Sequence, residues 1–147
     1  MRLSAGEIAR LIPHSGAMCL LDGVVQWDAR RIQCMSRRHR AADNPLRSGE
    51  RLPALCGVEY AMQAMAVHGG LTGKVGSRPR AGYLASLRNL ECRAARLDDL
   101  DGDLVVEADL LAGETTHASY RFILQVGAVE VLTGRAFVVL DAPAALG

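Results

Sequence analysis

The period of the hydrophobic positions changes along the chain, and each change marks an element. Leu20 to Trp27 is apolar and partly β-branched, which predicts a strand. From Arg31 to Arg38, Ile32, Cys34 and Ser36 alternate with Arg31, Gln33, Met35 and Arg37, the period of a half-buried strand. From about Ala54 to Gly69, Ala, Met, Val and Leu fall on nearly all sides, so the helix predicted there is buried, with Gly69-Gly70 as its stop signal. Strands return at Ala81 to Arg93, at Asp103 to Leu111, at His117 to Val126 and at Ala128 to Leu140. In the third of these Ala118, Tyr120, Phe122 and Leu124 share one face, and Val126-Gly127-Ala128 predicts a hairpin between the last two. Ser4 and Glu7 have the spacing of a capping box, which starts a short helix running to about Leu11 and ended by Pro13. Asn44-Pro45, Ser48-Gly49 and Pro53 punctuate a loop from Arg40 to Pro53.

One long apolar helix among antiparallel strands implies an α+β fold in which the sheet wraps around a central helix. No repeat or linker divides the 147 residues, so a single domain is expected over 1–147. Hydrophobic residues make up 50% and charged residues 22%, a folded composition. No apolar stretch reaches the length of a bilayer span and the N-terminus lacks the core of a secretion signal, which places the chain in the cytoplasm. Cys19, Cys34, Cys56 and Cys92 form no C-x-x-C pair, so they read as free thiols in a reducing compartment and no metal site is expected. The net charge of +1 argues against nucleic acid, yet its distribution is uneven. Arg30, Arg31, Arg37, Arg38, Arg40, Arg47 and Arg51 face only Asp43 and Glu50 within their segment, whereas Asp98 to Glu114 carries acids and no base. The basic segment suits an acidic partner protein, or is a solvated face.

Two segments carry a family resemblance. LIPHSGAMCLLDGVVQWD, residues 11 to 28, resembles the opening of the FabZ-type 3-hydroxyacyl-acyl carrier protein dehydratases, with Pro13, His14 and Asp22 in register. LPALCGVEYAMQA, residues 52 to 64, resembles the stretch that leads onto their central helix, with Pro53, Glu59 and Gln63 matching in order and spacing. The stretch DNPLRSGERLPALCGVEYAMQAMAVHGG is more similar to the ApeP-like subgroup, small dehydratase relatives associated with aryl polyene or related lipid synthesis. The resemblance implies a hotdog fold and acyl-thioester chemistry. It implies no cofactor beyond the phosphopantetheine arm of an acyl carrier protein. The implied partners are that carrier and a second hotdog chain, in a homodimer or higher homo-oligomer or in a heterodimer with a sibling dehydratase. One departure stands out: the family's catalytic loop histidine is absent, and counting back from Glu59 reaches Pro45 beside Asn44.

Dehydration needs a base at the carbon beside the carbonyl, an acid for the departing hydroxyl, and donors for the thioester oxygen. Glu59 is the candidate acid, on the expectation that burial raises its pKa, with Gln63 one turn on to orient it. The free amides from Ala54 to Gly57 would polarise the thioester oxygen, and Gly57 would leave room for the acyl group. His39 is the candidate replacement imidazole. Asn44, Pro53 and His14 complete the predicted substrate site, His14 being chiefly structural in the family. His68 reads as a helix cap, and Arg37, Arg38, Arg40, Arg47 and Arg51 as the carrier-docking surface. The competing readings are an active dehydratase, a partner subunit that completes a site with a His-bearing sibling, and a thioesterase.

Overall fold

The computed structural model describes residues 3–12, 18–73, 82–114 and 116–140. The N-terminal capping box forms as predicted: Ser4 Oγ accepts from the Glu7 amide, and Glu7 Oε1 accepts from the Ser4 amide, opening α1 (Ala5–Ala9). Pro13 lies outside the described residues. The strands are β1 (Leu3–Ser4), β2 (Gly23–Trp27), β3 (Arg31–Ser36), β4 (Gly82–Cys92), β5 (Leu104–Gly113), β6 (His117–Val126) and β7 (Val129–Leu140). They form one antiparallel sheet in the order β1-β2-β3-β5-β6-β7-β4. The strand β1 was not predicted, because two residues cannot display a period. At the other end of the order, β4 pairs only with β7 among the described residues.

Alternation decides which face meets the core. Ile32, Cys34, Val106, Ala108, Tyr120, Phe122 and Leu124 point inward and are buried around α2 (Gly57–Thr72). A 3-10 turn at Ala54–Cys56 leads into that helix. The predicted hairpin is present, with Gly127 at a φ of 59° in the two-residue link between Val126 and Val129. In β7 an irregularity opposite Leu124 and Gln125 brings both Val131 and Leu132 into the core, and Phe137 and Val139 then face outward.

The helix passes its predicted stop at Gly69-Gly70. A Cβ on Gly70 would stand 3.2 Å from the Leu11 carbonyl oxygen and 3.3 Å from Leu11 Cβ, so this glycine admits Leu11 instead of ending the helix. The end comes at Thr72, whose Oγ1 donates to the His68 carbonyl at 2.8 Å, followed by the Gly73 amide on the Gly69 carbonyl at 3.0 Å.

Candidate functional site

The start of α2 is held by a segment about forty residues away in sequence. Asp98 Oδ1 accepts from the Leu52 amide at 2.8 Å, the Leu97 amide donates to the Leu52 carbonyl at 2.7 Å, and the Ala54 amide donates to the Ala95 carbonyl at 3.1 Å. Pro53, exposed, bridges to Arg96, and its carbonyl accepts from the Cys56 amide at 3.0 Å. Arg96 Nε reaches both Asp98 oxygens at 3.0 and 3.1 Å and holds that carboxyl well below the usual carboxylate range.

This anchoring corrects two expectations about the helix start. The amides of Ala54 and Cys56 are committed to protein carbonyls, and that of Gly57 to Ala54 and Leu55, so the predicted row of open donors narrows to Leu55. Gly57 is buried against the sheet, where a Cβ would lie 2.7 Å from a Leu124 methyl and 3.0 Å from a Leu132 methyl. Its missing side chain makes room for β6 and β7 and not for an acyl group.

Glu59 is exposed, which corrects the expected burial of its carboxyl. Its neighbour Leu55 is 55% exposed, so the helix start presents an acid beside an uncovered apolar side chain. Cys56, half-buried, has its thiol pushed up by burial first and by the Glu59 charge second. Gln63 does not orient Glu59. It is fully buried, Oε1 accepting from the Leu20 amide at 2.8 Å and Nε2 donating to the Met18 carbonyl, and so docks the N-terminal segment on the helix. His14 lies outside the described residues.

Asn44 is also committed within the protein. Its Nδ2 donates to the Arg38 carbonyl and to the Tyr60 hydroxyl, each at 2.9 Å, and its Oδ1 accepts from the Leu46 amide at 2.9 Å. It pins the loop to α2 through both ends of its side-chain amide. Tyr60, which the sequence reading passed over, anchors this contact, and burial pushes its hydroxyl up to about 12. The signal was available: a tyrosine on an apolar helix needs a partner for its hydroxyl.

His39 is buried, within a 3-10 turn (Arg38–Arg40) flanked by the exposed Arg37 and Arg40. Its Nε2 donates to the Leu100 carbonyl at 3.1 Å, its Nδ1 has no partner among the described residues, and burial lowers its pKa. His68 is no cap: inside the core its Nε2 donates to the Asp28 carbonyl at 2.9 Å, and its Nδ1 meets the Tyr120 hydroxyl at 2.8 Å. Because a carbonyl only accepts, the proton sits on Nε2, and in the neutral ring Tyr120 donates to Nδ1. His117 pairs with Glu114 at 3.4 Å and stacks on Phe137, with ring centres 5.4 Å apart.

Three of the predicted docking arginines, Arg37, Arg38 and Arg40, are ion-paired within the chain. The basic and acidic segments of the sequence lie side by side, with Arg37 on Asp103 at 3.0 Å, Arg40 on Asp101 at 2.7 Å, and Arg31 on Glu107 at 2.6 Å. Arg38 binds Asp22 at 3.2 Å, and Arg47 donates to the carbonyls of Glu50 and Arg40. Of the five only Arg51 lacks such a partner among the described residues. Two grooves of about 300 and 320 Å³ lie on the sheet face away from α2, and neither is lined by a predicted site residue.

An antiparallel sheet wrapped around one long helix, with a carboxylate at the open start of that helix, is a hotdog protein. Residues 6–144 match the ApeP-like family, described as ApeP dehydratase, and the chain belongs to that family. Among solved structures it is similar to the dehydratase heterocomplex ApeI:P from Xenorhabdus doucetiae, at 21% identity and a TM-score of 0.83, over 95% of this chain and 93% of that one. It also resembles thioesterase HI1161 from Haemophilus influenzae, at 10% identity and a TM-score of 0.65, over 96% and 92% of the two chains. A virulence protein from Campylobacter jejuni shares the fold at 12% identity and a TM-score of 0.59, over 93% and 89%. No curated protein matches the sequence. No helix among the described residues is long and apolar enough to cross a membrane.

Proposed function

We propose that the chain is a subunit of a dehydratase assembly that acts on 3-hydroxyacyl thioesters carried on the phosphopantetheine of an acyl carrier protein. It supplies the Glu59 carboxyl, and a second hotdog chain supplies the imidazole. One observation carries this reading: Glu59 stands exposed at the start of α2, while none of His39, His68 and His117, the histidines among the described residues, makes a hydrogen bond or ion pair with it. The edge of β4, unpaired among the described residues, and the uncovered Leu55 offer a second chain a place to join. A related solved structure described as a dehydratase heterocomplex supports the same assembly.

In this reading the partner's imidazole removes the proton beside the thioester carbonyl. Glu59 delivers a proton to the hydroxyl at the next carbon, which leaves as water while the carbon–carbon double bond forms. The reaction needs no metal and no redox cofactor.

The test is to purify the chain alone and together with a His-bearing sibling dehydratase, and to supply a carrier-bound 3-hydroxyacyl substrate. Water loss only in the mixture supports the proposal. Equal activity from the isolated chain makes it a self-sufficient dehydratase, and release of free acid makes it a thioesterase. If Glu59→Gln leaves the mixture fully active, the assignment of the acid is wrong.

A further inference from the structure

The outer face of the sheet carries three arginines in direct register on neighbouring strands. Arg88 in β4 stands opposite Arg135 in β7, and Arg135 stands opposite Arg121 in β6. All three are exposed, and buried residues flank Arg121 and Arg135 along their strands, so these side chains point away from the core. None has an ion-pair partner among the described residues. Two nearby carboxylates are taken: Asp109, opposite Arg121, is held by Arg31 at 3.5 Å, and Glu91, which lines a groove with Arg121 and Arg135, by Arg93 at 2.8 Å. Like charges placed directly opposite across strands destabilise a sheet, so this row is a cost to the isolated chain.

The neighbouring positions add apolar surface. In the next row along the strands Ser86, Phe137 and Ser119 line up, with Phe137 36% and Leu111 39% exposed. The two shallow grooves run on either side of Arg135, which lines both.

We propose that this face docks an acidic amphipathic helix of a partner protein, a surface separate from Glu59 and independent of the catalytic reading. Strand spacing sets the Cα positions of the three arginines along a line of about 10 Å, roughly 5 Å apart. Carboxylates three and four residues apart on a helix are about 5–6 Å apart and so match that step. An apolar residue on the same helix face meets Phe137 and Leu111. A small phosphate fits less well: the backbone amides of β6 and β7 are used in the ladder, so a compact anion finds no ring of main-chain donors beside Arg121 and Arg135.

The test uses a labelled synthetic helix with Glu at positions i, i+4 and i+7 and Leu at i+3, a scrambled peptide of the same composition, and inorganic polyphosphate. The full chain should bind the helix saturably, with R121Q/R135Q weakening it about tenfold and added salt weakening it further. R88Q alone should act in the same direction, and thermal melting checks that each variant is folded. Three results overturn the proposal: no saturable binding, binding unchanged in these variants but lost in R51Q, or equal binding of the scrambled peptide or polyphosphate.

Discussion

Gln63 accepts the Leu20 amide at 2.8 Å from a fully buried position on the central helix, with its other end on the Met18 carbonyl. Replacing Gln63 with Leu strips partners from a buried donor and a buried acceptor. The expected loss of stability is about 2–4 kcal/mol, read as a lower urea midpoint with an unchanged slope. The segment from Met18 to Leu21 should also gain hydrogen exchange before the sheet does.

The pair formed by His68 and Tyr120 makes a milder prediction. Burial pushes the Tyr120 hydroxyl up to about 12, so it stays a donor across the physiological range. Tyr120→Phe removes that donor and keeps the ring, which should cost about 0.5–1.5 kcal/mol. A double-mutant cycle with His68→Leu should return most of that loss as coupling.

His39 gives stability a pH dependence of definite sign. Burial holds its pKa in the folded chain below the ordinary 6.5, so between those values the unfolded chain binds more protons. Its contribution is complete above about pH 6.5 and is lost as pH falls through the folded value. Urea unfolding at a series of pH values should show this decline, and His39→Gln should flatten it. A separate loss of stability should follow at lower pH, below the ordinary carboxylate pKa of 3.8, where Asp98 releases Leu52 and Arg96.

Gly57→Ala tests whether that position serves the sheet. The added methyl would press on the side chains of Leu124 and Leu132, and the expected cost is about 1–3 kcal/mol. Trimming Leu124 to Ala in the same chain should recover part of the cost. Stability measured by urea unfolding would detect both effects, and additive losses would count against the contact.

Much of the fold was readable because the sheet is one-sided. Ala118, Tyr120, Phe122 and Leu124 fall at every second position and are all buried, with Ser119 and Arg121 between the first three, and Ser4 with Glu7 forms its cap from local chemistry alone. The site was less readable, since its polar residues are defined by distant partners. Asn44 is explained by Tyr60, Gln63 by Met18 and Leu20, and the arginines of one segment by the acids of another, and no spacing within a segment encodes those meetings. The missing period at Leu3–Ser4 hid β1, and Gly70 read as punctuation because its neighbour Leu11 lies far back in the chain.

The lone edge of β4 bears on how the chain must be produced. An eleven-residue strand whose outer edge has no strand partner among the described residues, with Leu84 and Leu90 exposed, is a template for any other extended chain. If the proposed second chain covers that edge, chains made in excess of it should clump, and balanced co-expression is the condition under which soluble material accumulates.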